Sequence, residues 1–198
     1  MGKARTSTTA VLGTALSVTV ALAACSGGKN AVDQNSGNQF RYVQGTSKGT
    51  VIHAAERKAA GPVAGELLAG GTYSLAADRG KVVVLNFLAS WCGPCQDETP
   101  QFDALYRQRK ASGVQFVGLD VKDPSRSASQ AWIKDKDITF PVVYDEAARS
   151  ALQLGDVPLA ALPSTVVIDK QGRVAAVYIS VLLPKDLEPV LDTLTKEA

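Results

Sequence analysis

The feature that most constrains the fold is an apolar run, residues 82–89, that leads directly into a pair of cysteines. The run reads VVVLNFLA, and Asn86 is its only polar residue. A strand as uniformly apolar as this is buried on both of its faces. We therefore expect a sheet with helices packed on either side of it.

The rest of the sequence alternates between strand-like and helix-like segments. Residues 114–122 and 139–145 repeat the apolar strand pattern, and a tight turn at residues 170–172 joins two final strands. Gly70 and Gly71 lie between short apolar runs and predict an N-terminal hairpin. This order predicts an α/β fold with a central mixed sheet flanked by helices. Pro100 predicts a kink or a restart in the helix after the cysteines, because proline lacks the N–H that a helix interior needs.

A leader and a tether precede the predicted domain. Residues 1–24 begin with basic side chains and continue as a short apolar run, which is typical of a cleaved secretory signal peptide; the alternative is an uncleaved anchor helix. Residues 22–25, LAAC, resemble the lipobox of bacterial lipoproteins, which implies a lipid on Cys25 and attachment to a membrane. Residues 25–48 are rich in Gly, Ser, Asn and Gln and predict a flexible tether. The folded domain is then expected at residues 49–198.

The charge balance bears on the class of partner. The chain has 21 Lys and Arg residues against 19 Asp and Glu residues. Such a balance gives no sign of the basic surface that a nucleic-acid partner requires. We therefore predict that the chain does not bind nucleic acid.

Cys92 and Cys95, with only Gly93 and Pro94 between them, allow three interpretations: a structural disulfide, half of a metal site or a reactive dithiol. A disulfide between residues three apart closes a small ring and constrains the unfolded chain little. A zinc site needs four ligands, and the only histidine, His53, lies in a different segment. We therefore predict no metal and favour the reactive dithiol.

The position of the pair at the start of a predicted helix supports that choice. Unpaired N–H groups and the dipole at a helix N-terminus favour a thiolate at Cys92, and Pro94 fits the first turn. We predict that Cys92 is the attacking sulfur and Cys95 the resolving sulfur of thiol–disulfide exchange.

The sequence WCGPC after a buried strand resembles the thioredoxin superfamily, and VVVLNFLASWCGPCQDETP resembles its extracytoplasmic TlpA/ResA-like thiol-disulfide oxidoreductases. Asn86 stands where thioredoxin has a buried aspartate, and Glu98 and Pro100 continue the motif as C-x-x-E-x-P. Residues 130–155 resemble the helix and strand that this group inserts in the middle of the fold. The resemblance implies a thioredoxin-like fold with a central helix–strand insertion.

The resemblance also implies roles for individual residues. Glu98 is expected to handle protons near the cysteines, and the alternative is a solvated glutamate favoured by the helix N-terminus. Pro163 corresponds to the group's cis-proline, and the backbone of Leu162 is expected to pair with an extended client segment. Trp91 is expected to shield the dithiol, although simple packing is as good an explanation. The expected client-binding residues are Trp91, Gly93, Pro94, Leu162 and Pro163. The segment LGDVPLAALP departs from the group in being longer and in carrying Pro158.

In function, the resemblance implies a membrane-tethered extracytoplasmic reductase of protein disulfides, possible work in cytochrome c maturation, and electrons supplied by a membrane protein of the CcdA/DsbD kind. No dissociable cofactor is expected, because the dithiol is itself the redox centre. The nearest alternative is an oxidase that forms disulfides in secreted proteins. A peroxiredoxin-type peroxidase and a copper-delivery module are further alternatives, and the first lacks its Thr-rich motif while the second lacks the wider cysteine spacing and a partnering histidine.

Overall fold

The computed structural model describes residues 1–2, 42–43, 49–155, 157 and 161–197. Residues 3–24 of the predicted signal peptide, Cys25, Pro158 and most of the predicted tether lie outside these residues. Across the described part of the chain, no helix has the length and apolar character needed to cross a membrane.

Seven strands form one mixed sheet, and two more form a separate hairpin. The sheet has the order β1-β2-β9-β8-β5-β6-β7, in which β5 is an interior strand, parallel to β6 and antiparallel to β8. The strands are β1 (Tyr42–Val43), β2 (Gly49–Ile52), β3 (Ala64–Glu66), β4 (Thr72–Ser74), β5 (Val82–Leu88), β6 (Val114–Val121), β7 (Val142–Asp145), β8 (Ser164–Ile168) and β9 (Val174–Tyr178). The hairpin β3–β4 turns through Gly70 and Gly71, both at positive φ, which confirms the predicted hairpin.

Four α-helices accompany these strands. They are α1 (Gly93–Arg109), α2 (Arg126–Asp135), α3 (Arg149–Gln153) and α4 (Pro184–Lys196). Apolar side chains of α1, α2 and α4 pack on one face of the sheet. The opposite face is covered by Val63, Leu67 and Leu75 together with α3 and its neighbours. Every residue of β5 is consequently buried, so the predicted α/β fold with a sheet covered on both sides is confirmed.

The inserted helix and strand predicted in the middle of the fold are α2 and β7. Ser125 caps α2 by accepting a hydrogen bond from the N–H of Ala128 at 3.2 Å. Strand β7 pairs with β6 and forms the edge of the sheet. The insertion therefore extends the sheet on the side away from β8 and β9.

Two details differ from expectation. Helix α1 continues through Pro100 as one element, so the predicted restart is wrong; the buried side chains of Phe102 and Leu105 beyond the proline anchor the helix to the sheet. Strand β1 lies inside the segment predicted as tether and pairs with β2, so the sheet begins before residue 49.

Candidate active site

The two cysteines lie where β5 ends and α1 begins, and they are joined as a disulfide. Cys92 is the N-cap of α1, and its sulfur accepts a hydrogen bond from the N–H of Cys95 at 3.3 Å. Pro94 lies in the first turn, where a missing N–H removes no helical hydrogen bond. The sulfur of Cys92 thus faces the donor end of a helix, which stabilises negative charge.

The two sulfurs differ in accessibility. Cys92 is 5% exposed and lines a pocket, whereas Cys95 is completely buried. Because an attacking sulfur must reach its partner, this difference suits Cys92 as the sulfur that meets a client and Cys95 as the one that follows.

Contacts from the end of β6 hold the loop in front of the cysteines. The N–H of Ser90 donates to Asp123 Oδ2 at 2.9 Å, and the indole N–H of Trp91 donates to the carbonyl of Lys122 at 3.0 Å. Burial alone would raise the pKa of Asp123, yet hydrogen bonds from Ser90 and Ser125 hold it below its usual value. An ionised Asp123 therefore fixes the loop. In this arrangement Trp91 has 57% of its surface exposed.

An apolar pocket of about 350 Å³ opens beside Cys92. Its wall consists of residues from five parts of the chain. The lining residues are Phe87, Trp91, Cys92, Gly93, Pro94, Val121, Lys122, Ala148, Ala151, Ala161 and Leu162. The pocket can hold an apolar side chain of a bound protein next to the sulfur of Cys92.

The residues expected to bind clients fall into two groups. Trp91, Gly93, Pro94 and Leu162 line this pocket, while Pro163 is buried and is not among the lining residues. The Leu162–Pro163 peptide bond is cis, in agreement with the isomer that the resemblance implies. The roles of these residues in client binding stay predictions.

Glu98 lies beneath the cysteines and is completely buried, so the alternative of a solvated glutamate is wrong. Its Oε2 accepts from Asn86 Nδ2 at 2.8 Å, and its Oε1 accepts from the N–H of Leu182 at 2.7 Å. Asn86 Nδ2 also donates to Thr165 Oγ1 at 3.2 Å. A titratable carboxyl group is therefore held by fixed partners one helical turn after Cys95.

Other predicted assignments concern residues away from this site. His53 is exposed, and its ring accepts a hydrogen bond from the N–H of Ala55. In the part of the chain that the structure describes, no group of three or more His, Cys, Asp or Glu side chains is arranged to hold a metal ion.

Several site residues were not found from the sequence. Four of them make hydrogen bonds between elements far apart in sequence, which no local pattern reveals: Thr165, Leu182, Asp123 and Lys122. Asp120 had a usable signal, because it is the one carboxylate in a largely apolar strand, and it is completely buried.

Comparisons with known proteins agree with this geometry. The profile of the AhpC/TSA family matches residues 57–177, more than half of the chain. The thiol-disulfide oxidoreductase ResA of Bacillus cereus is 34% identical over 117 residues, which is 59% of this chain. That match spans 65% of the length of the Bacillus protein, slightly less than two thirds.

Solved structures show the same fold. A DsbF homologue from Corynebacterium diphtheriae is 35% identical, with a TM-score of 0.71, and the match covers 77% of this chain and 97% of that one. A secreted thiol-disulfide isomerase from Corynebacterium glutamicum is 30% identical, with a TM-score of 0.73 and coverage of 80% and 99%.

Proposed function

The chain belongs to the AhpC/TSA family and to its thioredoxin-fold thiol-disulfide oxidoreductases, and on this basis we propose that it reduces disulfides in client proteins outside the cytoplasm. The observation that carries the proposal is the placement of Cys92 Sγ. It caps α1, accepts the N–H of Cys95 and borders the apolar pocket. A helix N-terminus lowers the pKa of such a thiol and provides the thiolate that exchange requires.

The reaction proceeds in two displacements at sulfur. The Cys92 thiolate attacks one sulfur of the client disulfide, the client S–S bond breaks, and the other client sulfur leaves as a thiolate. Cys95 then loses its proton and attacks Cys92, which forms the Cys92–Cys95 disulfide and releases the second client sulfur. The client gains two electrons and two protons, and the dithiol loses the same.

Glu98 is the proposed acceptor of the Cys95 proton. It follows Cys95 by three residues on the same helix and is buried with it, so the transfer takes place away from bulk water. No dissociable cofactor takes part in this scheme, because both electrons come from the two thiols.

The direction of electron flow and the location are parts of the same proposal. The Gly-Pro pair between the cysteines resembles reducing members of the superfamily, which supports reduction over oxidation. The C. glutamicum neighbour is described as secreted, and the LAAC sequence supports a lipid on Cys25.

A membrane donor of the CcdA/DsbD kind would return the disulfide to the dithiol. Cytochrome c precursors are the proposed clients, and loss of c-type cytochromes in a deletion strain tests that assignment.

The first test is insulin reduction by the full chain. We expect Cys92→Ser to abolish turnover, because it removes the attacking sulfur, and Cys95→Ser to accumulate mixed disulfides with clients, because nothing resolves them. Cys25→Ser is the matched control: it should keep insulin reduction and leave the membrane fraction. The proposal fails if wild type reduces no disulfide, or if Cys95→Ser traps no client.

A further inference from the structure

A buried polar cluster lies under the dithiol and consists of Asn86 on β5, Glu98 on α1 and Thr165 on β8. Asn86 is 1% exposed, and the other two side chains are completely buried. Asn86 and Thr165 are register partners in neighbouring strands, so their separation is set by the sheet itself. The cluster joins the strand before the cysteines, the helix after them and the strand that follows Pro163.

The amide of Asn86 uses only one of its two ends. Its Nδ2 donates both to Glu98 Oε2 and to Thr165 Oγ1, at 2.8 and 3.2 Å. Its Oδ1 is buried and has no hydrogen-bond partner among the described residues. An unpaired buried acceptor is costly, which makes this orientation of the amide favourable only while Glu98 needs a donor.

The needs of Glu98 change when it takes up a proton. Leu182 offers a backbone N–H to Oε1, and a backbone donor cannot become an acceptor. The proton of the acid form is therefore best placed on Oε2, the oxygen that faces Asn86. An Oε2–H group requires an acceptor, and Nδ2 cannot be one.

We propose that the Asn86 amide turns by about 180° when Glu98 is protonated, so that Oδ1 accepts the Oε2–H bond; the turn exchanges the two ends of the planar amide. Thr165 suits both orientations because its hydroxyl accepts from Nδ2 in one and donates to Oδ1 in the other. Each state keeps two hydrogen bonds and leaves one end of the amide unpaired.

This role makes Asn86 a positioning residue that acts through Glu98, and it rests on the proposed proton transfer from Cys95. In that step the Cys95 S–H bond breaks, an O–H bond forms on Glu98, and no electrons are exchanged. An aspartate at position 86 could not do the same, because two adjacent carboxylates repel and the pKa of one rises strongly. An amide leaves Glu98 as the single titrating group of the cluster.

Nuclear magnetic resonance of the reduced full chain tests the turn directly. The side-chain amide signals of Asn86 should titrate with the same midpoint as the carboxyl carbon of Glu98. Contacts between the Nδ2 protons and the Thr165 methyl group should be present above that midpoint and weaken below it. The proposal is overturned if the Asn86 amide signals do not move while Glu98 titrates. These measurements need no variant, so a variant that fails to fold leaves the test intact.

Variants supply a second readout. Asn86→Leu removes a charge-assisted hydrogen bond from ionised Glu98 and a weaker one from its acid form, so the Glu98 midpoint should rise by about one pH unit. Thr99→Val is the matched control, because it also removes a buried polar group, here a hydroxyl that donates to the Cys95 carbonyl. It should leave the Glu98 midpoint in place. An unchanged midpoint in Asn86→Leu contradicts the proposal, whereas insulin reduction by wild type reports separately on the function.

Discussion

At the scale of single residues, Cys92 and Asp120 place negative charge in opposite environments. Cys92 meets the positive end of a helix, which favours a thiolate. Asp120, near the end of the neighbouring strand β6, is buried, and neither of its carboxylate oxygens has a hydrogen-bond partner among the described residues. Burial raises its pKa to about 7, and the negative charge of Asp123 adds to the effect. An interaction with the Ser129 side chain lowers the pKa of Asp120 and offsets only part of this rise.

Asp120 therefore makes stability depend on pH. A carboxyl whose pKa is higher in the folded state binds more protons there, so wild type loses stability as pH rises from about 4 to about 7 and stays at the lower value above that. We expect urea unfolding at pH 8 to give Asp120→Asn a free energy of unfolding up to about 4 kcal/mol higher than that of wild type. Near pH 3 the two proteins should have the same free energy of unfolding. A difference that is the same at both pH values would contradict this.

Trp91 is the exposed aromatic residue that a bound client would cover. Its exposed indole forms one wall of the pocket beside Cys92. Trp91→Ala should raise KM for a short disulfide-linked peptide about tenfold, equivalent to about 1.4 kcal/mol of lost contact, with a smaller change in kcat.

A control for Trp91 lies nearby. Leu152 on α3 is 81% exposed but does not line the pocket, so Leu152→Ala should leave KM unchanged. Equal increases in KM for both variants would mean that general surface hydrophobicity, rather than this pocket, sets client affinity.

At the scale of elements, the strand–helix unit that carries the cysteines could be predicted from sequence alone. The apolar run of β5, the cap at Cys92 and the periodicity of α1 are all local patterns. The contacts that complete the site could not be predicted, because Thr165, Leu182 and Asp123 come from other elements. The predicted restart of the helix at Pro100 was wrong for a related reason, because packing of the residues beyond the proline outweighs the proline's local tendency to break a helix.

Asp103 connects α1 to the inserted α2–β7 unit. Burial would raise its pKa, but hydrogen bonds from the N–H and hydroxyl of Thr139 and the Arg107 ion pair hold it below the usual value of 3.8. Removing this carboxylate leaves the donors of Thr139 unpaired. We expect Asp103→Ala to lower the free energy of unfolding by about 2 kcal/mol at pH 7.

The pH dependence of that loss follows from the lowered pKa. The stabilisation is fully present above 3.8 and disappears as acid protonates Asp103 in the folded state, so the gap to wild type should narrow towards pH 2. Asp135→Ala is the control, since Asp135 is exposed and pairs only with its neighbour Lys136 in the described contacts. It should change stability by less than about 0.5 kcal/mol. A loss as large as that of Asp103→Ala would remove the case for a specific link.

At the scale of the whole molecule, the fold class was predictable because strand and helix patterns alternate in a fixed order. The pairing of β1 with β2 was not, since residues 25–48 have the composition of a tether. The proposed lipid on Cys25 would hold the proposed reductase at the membrane, where its proposed electron donor also lies.

The central claim is that the Cys92–Cys95 pair serves as a reductant, and its reduction potential tests that claim most directly. The full chain would be equilibrated in defined glutathione or dithiothreitol buffers, and the fraction of disulfide measured at each. We predict a potential near that of thioredoxin, about −270 mV. A value near that of DsbA, about −120 mV, would contradict the account and identify an oxidase that forms disulfides in its clients.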